Sequence, residues 1–189
     1  MFKILGKFGY LYGTEPLTSV ANGQIKWEAN ELRFHTPAEH IIKGKQYYME
    51  MQIFAADVNH RSLYCQAHKS AISLMFKVDD ASVNPFFDFI ETAKSGSELK
   101  VDLDILLTQI SGVLNTVSGY LGTDTMPNCD KTLCWYIVNE PYTITTAQLL
   151  FFQTYMPNNR KTFLFSESTA TSTYYNTGPF VPASPKNEL

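Results

Sequence analysis

Two segments with period-two patterning, residues 24–36 and 47–56, constrain the fold of this chain more than any other feature. Along an extended strand successive side chains point to opposite faces, so residues two apart share a face. In the second segment Met49, Met51 and Ile53 face one way, while Tyr48, Glu50, Gln52 and Phe54 face the other. In the first, Arg33 and His35 share a face and Leu32 and Phe34 share the opposite one. Between the segments, Ile42-Lys43-Gly44-Lys45 reads as a connecting turn, with Gly44 supplying the flexible backbone. Two neighbouring antiparallel strands, each with one polar face, are expected. Residues 70–78 and 133–139 carry a less regular version of the same pattern. The 13 Phe and 11 Tyr suit such strands and the large packed surfaces between them.

Helices are expected to be few and short. Asn84-Pro85 is a start signal, because Asn84 can cap and Pro85 fits the first turn. Phe86, Phe87, Phe89 and Ile90 supply the apolar face that follows, and Ser95-Gly96-Ser97 ends it. Thr145-Thr146-Ala147-Gln148 resembles a capping box before Leu149, Leu150, Phe152 and Met156. Residues 166–189, rich in Ser, Thr, Asn and Pro, read as an irregular tail.

The net charge of -3, with no basic block, gives a nucleic-acid partner no electrostatic support. No apolar run approaches the roughly 20 residues that span a bilayer. Residues 1–8 hold two lysines among apolar residues but no signal-peptide core. They read as an anchor strand, the start of a fragment, or an organellar address. Three cysteines, Cys65, Cys129 and Cys134, cannot all pair within one chain, and none forms a CxxC. That count favours a reducing compartment, or a partner cysteine elsewhere.

Glu31-Leu32-Arg33-Phe34-His35-Thr36-Pro37-Ala38-Glu39-His40 resembles the strand of α-carbonic anhydrases that reads FHFH, followed by TPSEH in many microbial members. Gly44-Lys45-Gln46-Tyr47-Tyr48-Met49-Glu50-Met51-Gln52 is similar to the next strand of that family, of the form GK-x-Y-x-x-E-M-H. Tyr120-Leu121-Gly122-Thr123-Asp124-Thr125-Met126-Pro127-Asn128-Cys129 resembles the family's YPGSLTTPPC segment, and Trp135 to Pro141 the strand after it. Asn176 to Pro182 resembles the closing NxRPxQP. Order and spacing agree from about Gly23 to Pro182. The resemblance implies an α+β, mainly β fold: a twisted, mostly antiparallel central sheet of the α-carbonic anhydrase type with a few short peripheral helices. It implies one incomplete domain over 1–182 with a tail over 183–189, shortened at its front.

Family members hold zinc on three histidines, two alternating on one strand and the third on its neighbour. Three neutral imidazoles converge there on a tetrahedral ion whose open position binds a water with a pKa of about 7. By the resemblance, the first position is Arg33 here, the second is His35 and the third is Gln52. Arg33 is permanently charged and has no lone pair to donate. Gln52 offers only a neutral carbonyl oxygen, a poor zinc ligand beside imidazole. His40 lies past a Pro-containing turn, and His60 and His68 fall in polar connecting sequence, so none restores the set. Thr125 and Glu39 match the pair that orients the zinc-bound hydroxide in active members, and Glu50 matches the carboxylate that supports the third histidine. Phe54 stands where a small aliphatic residue is usual, and Asp124 replaces a leucine.

These matches imply a remnant active site without metal, cofactor or catalytic group. Arg33 is expected as a fixed cation paired with Glu50 or Glu39, His35 as a hydrogen-bonded remnant, and Glu39 with Thr125 as a persisting hydrogen bond. Cys129, where secreted members place a disulfide cysteine, is expected as a free buried thiol. The leading expectation for function is a structural or interaction subunit of a larger assembly, with other protein subunits covering the front of the fold. The alternative is a module binding a small anion or carboxylate at Arg33, and a residual hydratase ranks last. An intracellular or organellar setting follows, with the ER lumen as a second reading from Lys186-Asn187-Glu188-Leu189.

Overall fold

The computed structural model describes residues 2–8, 10–13, 25–59, 65, 68–93, 98–110, 117–126, 132–156 and 172–174. Among these the two alternating segments form β3 (Ile25–His35) and β6 (Met49–Asp57), paired antiparallel with Arg33 opposite Gln52 and His35 opposite Glu50. Between them lies a small hairpin of β4 (Ile41–Ile42) and β5 (Lys45–Gln46). Its turn places Lys43 at φ 50° and Gly44 at φ 75°, the left-handed region that glycine enters without strain.

β3 contains a bulge between Ala29 and Glu31. A bulge inserts one residue and so reverses which side chains face the core. Trp27 and Ala29 before it therefore pack in the same core as Leu32 and Phe34 after it. Beyond the bulge, Glu31, Arg33 and His35 are left to share the other face.

The main sheet has nine strands among the described residues. Its order is β1 (Phe2–Leu5), β3, β6, β7 (Lys69–Val78), β9 (Thr132–Val138), β8 (Val117–Thr123) and β11 (Ser172–Tyr174). β2 (Tyr10–Gly13) also pairs with β3, and β10 (Tyr142–Ile144) with β7. Two pairings, β7 with β9 and β7 with β10, are parallel, and the rest are antiparallel. The chain's own β1 and β2 pair along one edge of β3, in keeping with the anchor-strand reading of the start. Phe2 and Ile4 of β1 pack against the core, Phe2 meeting Phe34 and Phe152 edge-on.

One face of the sheet carries the larger core. Met49, Met51, Ile53, Leu74 and Phe76 meet the 3₁₀ helix Pro85–Thr92 and the helices α1 (Leu103–Ile110) and α2 (Thr146–Tyr155) there. The Asn84 side chain accepts from the Phe86 amide at 3.1 Å, and the Thr145–Gln148 capping box closes in both directions, as the sequence leads one to expect. The first of these segments winds as a 3₁₀ helix, and α1 had no counterpart in the sequence reading. No helix among the described residues is long and apolar enough to cross a membrane. The opposite face carries a smaller cluster of Ala38, Ile42, Phe54, Ala71, Met75, Leu133, Trp135 and Ile137, and it also holds the polar residues singled out above.

One covalent link was not anticipated. Cys65 and Cys134 form a disulfide, so two of the three cysteines pair within the chain. Within the stretch 166–189 expected to be irregular, Ser172–Tyr174 instead pairs with β8 as a strand. The rest of that stretch, with Lys186 to Leu189, and Cys129, His60 and the segment 95–97 lie outside the described residues.

Candidate functional site

The site is built where β3 and β6 run side by side. Alternation puts Glu31, Arg33 and His35 of one strand, and Glu50, Gln52 and Phe54 of the other, on the same face. Arg33 is only 5% exposed, and a permanent charge in that setting needs anionic partners. It finds two. Its Nε donates to Glu31 Oε1 at 2.5 Å, and its two terminal nitrogens donate to Asp124 Oδ1 and Oδ2 at 2.5 and 3.1 Å. The guanidinium lies 3.8 Å from the centre of the Phe54 ring, an arrangement that stabilises a cation. Lys3 of β1, opposite Arg33 in register, bonds Glu31 at 2.7 Å.

The expected partners of Arg33, Glu50 and Glu39, are therefore corrected to Glu31 and Asp124. The physical reason is proximity on the strand. Glu31 is two residues back on the same face, whereas Glu50 is consumed elsewhere. Asp124 likewise serves as a counter-ion rather than merely making a pocket polar. Burial alone raises the pKa of both carboxyls, but hydrogen bonds and charge from Arg33 and Lys3 outweigh it and hold both below their ordinary range.

Glu50, fully buried, accepts five hydrogen bonds. The backbone amides of Glu39 and His40 reach Oε2 at 2.8 and 2.9 Å. His40 Nδ1, Gln52 Nε2 and Ser73 Oγ reach Oε1 at 2.7, 2.8 and 2.5 Å. Burial pushes its pKa up, yet the charge and hydrogen bond of His40 prevail and Glu50 stays an anion far below the usual range. His40 in turn is lowered by burial and raised more strongly by Glu50. Its Nε2 lies 2.7 Å from the Tyr120 hydroxyl, whose own pKa is raised by burial and by the Glu50 and Glu39 charges.

His35 is buried as a hydrogen-bonded remnant, as expected. Its Nε2 lies 3.1 Å from Gln52 Oε1 and its Nδ1 lies 3.2 Å from Glu39 Oε1. The Gln52 amide also donates to Glu39 Oε2 at 3.2 Å. Burial raises the Glu39 pKa, but the hydrogen bond and charge of His35 outweigh it and leave Glu39 below its ordinary range. The expected Glu39–Thr125 bond is absent: Thr125 Oγ1 is buried without a hydrogen-bond partner among the described residues. Gln52 explains the change, because its amide hydrogens recruit the Glu39 oxygen.

His40, Tyr120 and Ser73 were missed from the sequence, and His40 was set aside as lying beyond a turn. His40 directly follows Glu39, and Tyr120 opens the segment containing Asp124 and Thr125, so both stood within the quoted stretches. Ser73 is opposite Gln52 across β6 and β7, a register visible only once the sheet is formed. His68, 3.2 Å from Asp57, stands apart from this network.

A sequence model of the eukaryotic-type carbonic anhydrase domain matches residues 12–174. The chain belongs to the eukaryotic-type carbonic anhydrase family. Dioscorin DB3L of Dioscorea polystachya is 23% identical over 134 residues, which cover 69% of this chain and 47% of the dioscorin. Receptor-type tyrosine-protein phosphatase zeta of Homo sapiens is 25% identical over 146 residues, 68% of this chain and 6% of the phosphatase. The chain thus spans about half the length of the dioscorin and a small part of the phosphatase. In fold it is similar to an α-carbonic anhydrase from Aspergillus oryzae, with a TM-score of 0.62 at 18% identity over 92% of this chain and 74% of the other.

The residues present in this carbonic anhydrase family member do not fit the zinc that the family implies. Arg33 brings a cation to the position that the sequence resemblance gives to the first ligand, and Gln52 stands at the position it gives to the third. The Gln52 carbonyl is turned to His35. Both His35 nitrogens face acceptor oxygens, so neither is directed at open space. Among the described residues no group of three or more His, Cys, Asp or Glu is arranged to hold a metal.

Proposed function

We propose that this chain is a non-catalytic member of the carbonic anhydrase family, serving as a structural or interaction subunit of a larger assembly. The observation that carries the reading is the self-satisfied network at the ligand positions. Arg33 is neutralised by Glu31 and Asp124, and His35, Gln52, Glu39 and Glu50 hydrogen-bond one another. Every charged member of the network has a partner, so the network stabilises the fold while offering a metal no open donor set. The alternative, an anion-binding module, needs an unpaired Arg33, and its two carboxylates repel a third. Two of the relatives, a dioscorin and a receptor phosphatase, carry names other than carbonic anhydrase, which agrees with use of the fold for another end.

The test is elemental analysis and a CO2 hydration assay on protein equilibrated with zinc. Zinc well below one equivalent per chain, with hydration at the uncatalysed rate, is the expected result. Stoichiometric zinc with accelerated hydration overturns the non-catalytic reading. Mild purification from the producing cells followed by size-exclusion chromatography tests the subunit reading, which a solitary monomer refutes.

A further inference from the structure

Cys65 and Cys134 stand 69 residues apart in sequence, yet their Cα atoms are 5.7 Å apart, well within the range for a disulfide. The sheet itself makes this meeting. β9 lies parallel to β7 with Cys134 opposite Ser70, and the turn leading into β7, closed by the His68 amide on the Cys65 carbonyl at 2.7 Å, brings Cys65 back beside β9. Along β9 the side chains alternate. Leu133, Trp135 and Ile137 belong to the face with the polar network, whereas Cys134 and Val138 belong to the larger core behind the sheet. Both cysteines are buried there, at 1% and 2% exposure, with the Tyr136 hydroxyl 3.7 Å from the Cys65 sulfur.

That position decides what kind of disulfide this is. A redox-active pair needs an accessible sulfur that an incoming thiolate can attack. This pair is enclosed in apolar packing and faces away from the Arg33–His35 network, so it serves as a clamp. Among the described residues, the loop it closes contains β7 and the 3₁₀ helix, α1 and β8 that lie between the parallel strands β7 and β9. Clamps of this type form and persist where the surroundings are oxidising and are rare where glutathione keeps thiols reduced.

We propose that the chain is oxidised at Cys65 and Cys134 as it folds and resides in an oxidising compartment, contrary to the reducing setting that its cysteine count favoured. The oxidant is the disulfide of a thiol–disulfide oxidoreductase. One cysteine thiolate attacks that disulfide and forms a mixed disulfide. The other thiolate then displaces the oxidoreductase, which leaves as a dithiol carrying the two electrons and two protons the chain has lost. This inference is independent of whether the protein binds zinc.

Two measurements test it. Protein from the cells that make it is quenched in acid, alkylated before any reduction and mapped by mass spectrometry. A peptide linking Cys65 to Cys134 is expected; both cysteines alkylated as free thiols, or either joined to Cys129, overturns the proposal. Thermal melts are then compared with and without reductant for the full chain and for Cys65→Ser/Cys134→Ser. Reduction is expected to lower the wild-type Tm by on the order of 10 °C and to leave the double variant unmoved. A wild-type melt unchanged after verified reduction overturns the clamp.

Discussion

Arg33 carries a charge that deprotonation cannot remove, so a fold that buries it must bring carboxylates to it. Glu31 and Asp124 do so from opposite directions, one from the same strand and one from the segment after β8, and Phe54 receives the guanidinium plane. Arg33→Ala is expected to reduce stability by about 2 kcal/mol, because Glu31 and Asp124 are then left partly buried without a counter-charge. A double-mutant cycle with Asp124→Asn, followed by urea denaturation, should return a coupling of about 1 kcal/mol, modest since Asp124 is partly exposed. Additivity of the two changes would contradict the pairing. At this scale the site was half legible. Arg33, His35 and Gln52 could be placed because the family resemblance marks their positions and alternation fixes which side chains share a face. Their partners could not, since a carboxylate 91 positions away and a hydrogen bond captured by a substituted amide depend on the assembled sheet.

Local elements were the most legible level where their chemistry is local. The Thr145 box, the Asn84 cap and the Gly44 turn each work within a few residues, and each is found as the sequence predicts. Thr145→Ala removes the acceptor for the Gln148 amide and is expected to lower stability by about 1 kcal/mol, measured by thermal or chemical denaturation; Thr145→Ser should restore most of it. A neutral result for the alanine variant would mean that the packing of Leu149 and Phe152 alone holds the helix. β1 and α1 were harder to see. β1 is four residues long, and its alternation of Phe2 and Ile4 inward with Lys3 and Leu5 outward is too brief to stand out. α1 starts on an Asp102 side chain that caps the Asp104 amide, a signal easily lost among neighbouring aspartates. The bulge near Asn30, which sets the face of Arg33 relative to Trp27, has no marker in the sequence.

For the whole molecule, the ionisable groups of the site set two opposing dependences on pH. Glu31, Glu39, Glu50 and Asp124 all have lowered folded-state values, so their stabilisation is present above their unfolded values and is lost as pH falls through the folded ones. His40 is raised, so its contribution is full below its unfolded value of about 6.5 and is lost as pH rises through the folded one. Unfolding free energy is therefore expected to peak between about pH 5 and 6.5. His40→Gln should flatten the decline above that peak while retaining the acid limb; an unchanged alkaline limb would remove His40 as its source.

The parallel pairing of β7 with β9 carries a consequence for synthesis. β7 ends at Val78, and the strands that complete its edge, β9 and β10, begin only at Thr132 and Tyr142. While the ribosome makes the intervening residues, β7 presents an unpaired edge with Leu74 and Phe76 behind it, a template for any other extended chain nearby. That edge is closed only once β9 and then β10, which ends at Ile144, have emerged, and only then can the two halves of the sheet close around their shared centre.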